Sequence, residues 1–328
     1  MLEEHHKITQ SIDLAVSCLL KGELVAFPTE TVYGLGADAT NPVAIKKVFE
    51  AKGRPADHPL IVHIADKSQL SNWAANIPAS AWILAEHFWP GPLTMILEKL
   101  AAISGLITGD QNTIALRVPN HPVALKLLQQ FGSGLVGPSA NIYGHVSPTT
   151  ATHVAMDLGD EVAAILDGGP CHVGIESTII YLAGETPTIM RQGAITAAEI
   201  SSVLNCTVAI NTQKQDVVRT SGSHTSHYAP RTAVYLIEPQ NLLTTIDQFI
   251  NQHKTFSVLS FRAKPANLSK EIYWQQINQE PKIFAQYLYA NLREHDQLHN
   301  TAILIEKVPH APEWAAIADR LTRASVKE

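Results

Sequence analysis

The stretch Leu24-Val25-Ala26-Phe27-Pro28-Thr29-Glu30-Thr31-Val32-Tyr33-Gly34-Leu35-Gly36 joins four apolar residues to a polar run that ends in glycines. Leu24 to Phe27 reads as a short buried strand, and Pro28 to Gly36 as a loop leaving it. Loops at strand ends are where open α/β sheets hold ligands, which singles out Thr31. A dinucleotide reading also offers itself, because Gly34-Leu35-Gly36-Ala37-Asp38-Ala39 fits G-x-G-x-x-A. Its spacing is wrong. Six residues separate the strand end from Gly34, and about 20 residues further on stands Arg54 where ribose recognition needs an acid.

Outward from this stretch, strands and helices alternate. Apolar residues at Ile8, Ile12, Ala15, Leu19 and Leu20, with Gly22 as the stop, predict a helix over 7–21. Asn41-Pro42 supplies a cap and first residue for a helix ending at Lys52-Gly53. Strands are expected at 59–64, 93–97, 113–118, 135–136, 163–166, 177–182 and 188–191, and helices at 78–88, from an Asn120 cap to 131, and after the Thr196–Glu199 capping box. Ser147-Pro148 reads as one more helix start. Several links are too short for helical crossovers, so the sheet is expected to be mixed. This predicts an α/β domain over 1–206, a linker over 207–231 where the apolar pattern fades, and a smaller α/β domain over 232–328.

With 328 residues, 45% hydrophobic and 16% charged, the chain is long and apolar enough for two cores. Its acidic first residues and the short apolar run at 14–20 argue against a secretory signal or a membrane span. Cys18, Cys171 and Cys206 form neither a disulfide framework nor a zinc pattern, so the cytoplasm is the expected location. Net charge is −6, and residues 1–206 hold 11 Lys and Arg against 19 Asp and Glu, which excludes a broad nucleic-acid footprint. No G-x-x-x-x-G-K-[ST], H-E-x-x-H, C-x-x-C or G-x-S-x-G occurs, so phosphoryl chemistry needs a different cradle.

Cations and hydroxyls are instead placed singly. Arg54, fixed between Gly53 and Pro55, presents a rigid guanidinium suited to phosphate or carboxylate, although Lys52 and Arg54 also complement a helix C-terminus. Arg117 lies in the apolar strand Ile114-Ala115-Leu116-Arg117-Val118, where a charge is costly unless an anion meets it. His63 interrupts another strand, where a lone histidine is usually a hydrogen-bonded core residue. Ser139, Asn141 and Ser147 offer donors after a strand, and Ser177 and Arg191 stand at strand ends. Together they describe a pocket for a phosphorylated ligand and a small polar one.

In this order, PTETVYGLG, KGRPADHPL, WPGPLT, ALRVPNH, GPSANIYGHVSPT, DGG with GIEST, IMRQGAI and HYAP closely resemble the threonylcarbamoyl-AMP synthases of the YrdC-like superfamily, in their longer two-domain form. The resemblance implies a twisted mixed sheet flanked by helices, and a smaller Rossmann-like C-terminal α/β domain. It implies a nucleotidyltransferase that makes L-threonylcarbamoyl-AMP and pyrophosphate from L-threonine, bicarbonate or CO2, and ATP, with Mg2+ accompanying ATP and no metal held by the protein. The product would serve tRNA modification through a separate tRNA threonylcarbamoyltransferase complex, with no membrane partner and no strong direct nucleic-acid binding. Carried over by position, Thr31, His63, Arg117, Gly137 and Ser177 would hold threonine. Arg54, His58, Thr113, Ser139, Asn141, Ser147, Arg191 and Tyr228 would hold ATP, and Lys52 and Arg54 would serve catalysis. His58 stands where the family commonly has Asn, and Ser221 to Pro230 is less basic than the family's linker. The rival readings are an RNA-binding module and a carbamoyl-transfer domain acting on carbamoyl-adenylate.

Overall fold

The computed structural model describes residues 7–211, 218–220 and 228–326. The acidic start and most of the expected linker lie outside the described residues. The chain divides into two compact units, Met1–Tyr143 with Ser147–Ser223, and Gly144–Val146 with His224–Glu328.

In chain order the first unit contains β1 (Ile8–Thr9), α1 (Ile12–Leu20), β2 (Val25–Phe27), β3 (Gly34–Asp38), α2 (Pro42–Lys52), β4 (Ile61–His63), α3 (Ala79–Phe88), β5 (Leu93–Glu98) and α4 (Gly105–Thr108). It continues with β6 (Thr113–Arg117), α5 (Pro122–Phe131), β7 (Leu135–Val136), α6 (Ala151–Leu158), β8 (Ala164–Leu166), β9 (Thr178–Tyr181), β10 (Thr188–Arg191), α7 (Ala197–Leu204) and β11 (Ala209–Ile210). The strands form a single sheet in the order β1-β8-β2-β3-β7-β4-β6-β5-β9-β10-β11. Parallel pairs such as β4 with β6 alternate with antiparallel ones such as β5 with β6, so the sheet is mixed, as the short links require.

Several local expectations need correction. Residues 8–9 pair with β8 as a strand, and Ser11 caps α1 by accepting from Leu14 N–H, so the first helix begins later than the apolar spacing suggested. Gly34 and Gly36 are not loop glycines. They pair with Phe27 and Val25 across β2, and a Cβ on Gly34 would lie 2.9 Å from the Phe27 ring. The loop is therefore only 28–33, and the glycines make room for an aromatic side chain. α5 is capped by His121 rather than Asn120, and α6 by Thr150 rather than Ser147. β11 falls within the stretch expected to be linker.

Residues alternate across the middle of the sheet with the period of two that a pleated strand imposes. Val62, Leu93, Met95, Leu97, Ile114, Leu116 and Ile180 enter the main core under the helices. The opposite face therefore carries Ile61 and His63 from β4, Thr94 and Ile96 from β5, Thr113, Ala115 and Arg117 from β6, and Ile179 from β9. This second face is where the site is built.

The second unit contains β12 (Ala233–Ile237), α8 (Leu242–Asn251), β13 (Phe256–Ser260), β14 (Tyr273–Gln276), α9 (Pro281–Asp296), β15 (Ala302–Glu306) and α10 (Ala315–Ala324). Its sheet runs β12-β15-β13-β14 with every pair parallel, the Rossmann-like arrangement expected of the smaller domain. The apolar runs at 233–237, 256–261 and 301–305 predict three of these strands, and β14 has no counterpart among them. Among the described residues no helix is long and apolar enough to cross a membrane.

Candidate functional site

Register brings distant residues into one row. His63 lies opposite Arg117 across the parallel pair β4–β6. Beside Arg117 runs β5, whose Thr94 hydroxyl lies 2.8 Å from the Ser177 hydroxyl at the start of β9. A register shift between Ile189 and Arg191 interrupts the β9–β10 ladder, and such bulges re-aim side chains. Arg191 here donates from Nε to the Ser177 carbonyl and from Nη2 to the Ser177 hydroxyl, both at 3.1 Å. Thus His63, Arg117, Ser177 and Arg191 from the sequence expectation do come together, with Thr94 added between them.

The loop 28–33 closes over this row. Thr29 organises it: its hydroxyl donates to the Val32 carbonyl at 2.6 Å and accepts from Val32 N–H, while the Thr31 hydroxyl sits 2.8 Å from it. Tyr33 donates to the Gly169 carbonyl at 2.8 Å, and burial pushes its hydroxyl well above the usual range of a phenol. Between the threonines, Glu30 reaches Arg117, with Oε2 2.7 Å from Nη2. The charges meet closely, yet the contact is not aligned as a hydrogen bond. So the anion that Arg117 requires is in part supplied by the protein, which the sequence reading missed.

Burial, and secondarily the Arg117 charge, holds the His63 imidazole well below its ordinary range, so it is neutral at pH 7. Its Nδ1 has no hydrogen-bond partner among the described residues. Gly137 explains why it fits: its N–H donates to the Ile61 carbonyl at 2.9 Å, and a Cβ there would lie 2.7 Å from His63 Nδ1 and 3.0 Å from the Phe27 ring.

A second wall comes from the end of α2 and the loop after β7. Gly53 takes the left-handed conformation, φ 60°, that ends the helix and turns Arg54 inward. Lys52 is buried, and its ammonium donates to the carbonyls of Ser139 at 2.5 Å and Asn141 at 2.6 Å. Burial, with Arg54 nearby, lowers its pKa well below the ordinary lysine range. Lys52 therefore pins the Gly-Pro-Ser-Ala-Asn loop. Arg54 donates to the Pro59 carbonyl at 3.0 Å and lies 5.9 Å from the Tyr143 ring centre, and His58 packs against the same ring.

Three further expected residues have partners or surroundings of their own. Ser147 is fully buried and donates to Glu176 Oε1 at 2.6 Å, so it recruits a carboxylate instead of capping a helix. Thr113 occupies the other end of β6, about 13 Å along the strand from Arg117, beside a small cleft lined by Ile61, Ile96, Ile179 and Val218. Tyr228 belongs to the second unit, where its ring stacks on Tyr289 at 5.7 Å and Arg320 covers it at 5.2 Å. Glu30, Thr94 and Glu176 are the members that sequence reasoning overlooked. Among the described residues no group of three His, Cys, Asp or Glu could hold a metal ion.

The fold and site define an α/β protein with one face of a mixed sheet arranged for a small charged ligand, beside a wall carrying further cations. Family models match both parts of the chain: one described as "Telomere recombination" over 17–193, and the C-terminal domain of threonylcarbamoyl-AMP synthase over 195–326. The chain is 39% identical to the threonylcarbamoyl-AMP synthase of Bacillus subtilis, covering 95% of this chain and 92% of that one. It is 38% identical to that of Pyrococcus abyssi over 96% and 94%. A crystal structure of the Pyrococcus abyssi protein complexed with L-threonine superposes with a TM-score of 0.89, covering 96% of this chain and 94% of that one. The chain belongs to the threonylcarbamoyl-AMP synthase family, in its two-domain form.

Proposed function

We propose that this protein is a nucleotidyltransferase that makes L-threonylcarbamoyl-AMP from L-threonine, bicarbonate or CO2, and ATP, releasing pyrophosphate. The observation that carries this is the buried row of Glu30, His63 and Arg117 beside Ser177 and Arg191, a set of complementary charges and donors of the kind an amino acid needs. The family's relatives carry the same activity in their names, and one of them is described with L-threonine bound.

In this reading Thr31, His63, Arg117, Gly137 and Ser177 form the threonine subsite. Arg54, His58, Thr113, Ser139, Asn141, Ser147 and Arg191 serve ATP, while Tyr228 is assigned to ATP by resemblance alone. Threonine carbamate is already an anion, so its attack on the α-phosphorus needs no base to activate the oxygen. What the protein supplies is position and charge: guanidinium groups offset the repulsion between carbamate and triphosphate, and rigid donors fix their approach. Lys52 contributes from behind, holding the carbonyls of Ser139 and Asn141 so that the loop's outward groups are preset. Mg2+ arrives on the phosphates as part of the substrate. The product passes to a tRNA threonylcarbamoyltransferase complex in the cytoplasm, consistent with three free cysteines.

The test is pyrophosphate release from ATP with L-threonine and bicarbonate. Arg54→Ala and Arg117→Ala are each expected to lower it on the order of 10²- to 10³-fold, with circular dichroism showing a folded chain. Unchanged turnover in both, or release independent of threonine, removes the reading.

A further inference from the structure

Buried polar groups without partners mark what a site is built to receive, because each orphan is costly unless a ligand meets it. Among the described residues three such groups gather in one place. Neither carboxylate oxygen of Glu30 has an aligned hydrogen-bond donor, Arg117 Nη2 lacks an aligned acceptor, and His63 Nδ1 lacks any partner. All three residues are at least nine-tenths buried, with 3%, 4% and 2% of their surfaces exposed. They come from the loop after β2, from β6 and from β4, so the cluster is a product of the tertiary fold. Arg117 engages only one Glu30 oxygen, at 2.7 Å, and its Nε makes a long contact of 3.4 Å to the Gly91 carbonyl.

A buried ion pair with an excellent fit would close both oxygens of the carboxylate and leave nothing over. Here one carboxylate oxygen remains open beside a guanidinium that can still turn toward a second anion. That pattern is the complement of a zwitterion. A free amino acid brings an ammonium, three donors and no acceptor, together with a carboxylate that matches a guanidinium fork.

We propose that Glu30 is the acceptor for the α-amino group of the amino-acid substrate. This deepens the threonine reading above and rests on it. Glu30 and Arg117 then read the two ends of one small molecule. The ammonium meets Glu30 and the carboxylate meets Arg117, which fixes the nitrogen that must acquire the carboxyl carbon. The pair also explains how a free α-amine is selected over hydroxy acids: a ligand without the ammonium sets two carboxylates, its own and that of Glu30, against the single Arg117 charge.

Titration calorimetry on the full chain tests this with L-threonine and with 2,3-dihydroxybutanoate, which replaces the amine by a hydroxyl. Wild type is expected to bind the hydroxy acid roughly 100-fold more weakly than L-threonine. Glu30→Gln, nearly isosteric, is expected to weaken L-threonine by a similar factor while leaving the hydroxy acid within about 3-fold. Equal weakening of both ligands would mean that Glu30 acts only through Arg117, and overturns the assignment. Equal affinity of wild type for both ligands overturns it too, and that comparison stands even if Glu30→Gln does not fold. Wild type that neither binds L-threonine nor releases pyrophosphate with it removes the synthase reading, whereas normal binding and turnover in Glu30→Gln removes the Glu30 assignment alone.

Discussion

Two buried clusters, one in each unit, handle polarity in opposite ways. In the first, Glu30, His63 and Arg117 are buried with polar atoms left open. In the second, His295 is fully buried yet both ring nitrogens are engaged, Nδ1 with Ser257 Oγ at 2.7 Å and Nε2 with Gln275 Oε1 at 2.9 Å. Gln275 extends the chain to Asn291 Oδ1 at 3.0 Å. Glu306, at the end of β15, accepts from Ser260 at 2.5 Å and from Phe261 N–H at 3.1 Å. A histidine or carboxylate in a sheet is therefore uninformative until its partners are counted: satisfied networks hold a fold, and open ones await a ligand.

Proton binding gives the largest expected contrast. Burial lowers the His295 pKa to about 4, against an ordinary value of 6.5. Above pH 6.5 the ring is neutral in both folded and unfolded chains and costs nothing. As pH falls, the unfolded chain takes up a proton that the folded chain refuses, so stability declines from 6.5 downward and the loss is complete once pH passes below about 4. Its size is about 3 kcal/mol. His63 and His121 are lowered by burial as well, so the effect must be isolated by difference. His295→Gln cannot titrate, and the stability gap between wild type and variant in urea should shrink by about 3 kcal/mol between pH 7 and pH 4. A constant gap would mean that the satisfied network carries no proton-linked cost, and the contrast would lose its energetic basis.

Gly137→Ala probes the open side. The added methyl meets His63 Nδ1 at 2.7 Å, and His63 cannot move far because Phe27 packs edge-on against it at 5.4 Å. Displacing the imidazole by a fraction of an ångström should lower pyrophosphate release about 10²-fold, with the second unit's pH response intact. Steady-state turnover checks it, and wild-type rates would show that the orphan nitrogen is not part of the threonine subsite.

Legibility followed the range of the interaction. The helix Pro42–Lys52 was readable because its cap, its first-turn proline and its terminal glycine are all local. Arg117 stood out because a cation in an apolar strand demands an anion wherever it is buried. Glu30 did not, since its meaning depends on Arg117, far along the chain, and a carboxylate was not sought in a site expected to hold anions. Thr94 lay in plain view in WPGPLT, but its role appears only when β5 and β9 align. Ser147-Pro148 imitates a helix start locally, yet Thr150 takes the cap by accepting from His153 N–H, and Glu176 takes Ser147. The edge strand β14 gave little signal because Tyr273 and Gln276 are exposed and the strand lacks a continuous apolar run.

Ser260→Ala is the smallest change that still separates the two behaviours. Its hydroxyl donates to Glu306 Oε2 and accepts from Arg262 N–H at 3.1 Å, so it is a structural link with no exposed face. Glu306 would keep the Phe261 amide and the Arg262 guanidinium, whose Nε lies 3.4 Å away, and would not be left as an isolated charge. The cost should therefore be near that of one charge-assisted hydrogen bond, about 1.5 kcal/mol in urea unfolding, with threonine affinity and turnover unaltered. A partly satisfied network behaves differently, because losing one donor exposes a charge and costs several times more. If Ser260→Ala instead disturbed threonine binding while stability barely moved, Glu306 would have to be treated like Glu30, as a carboxylate held for something other than the fold.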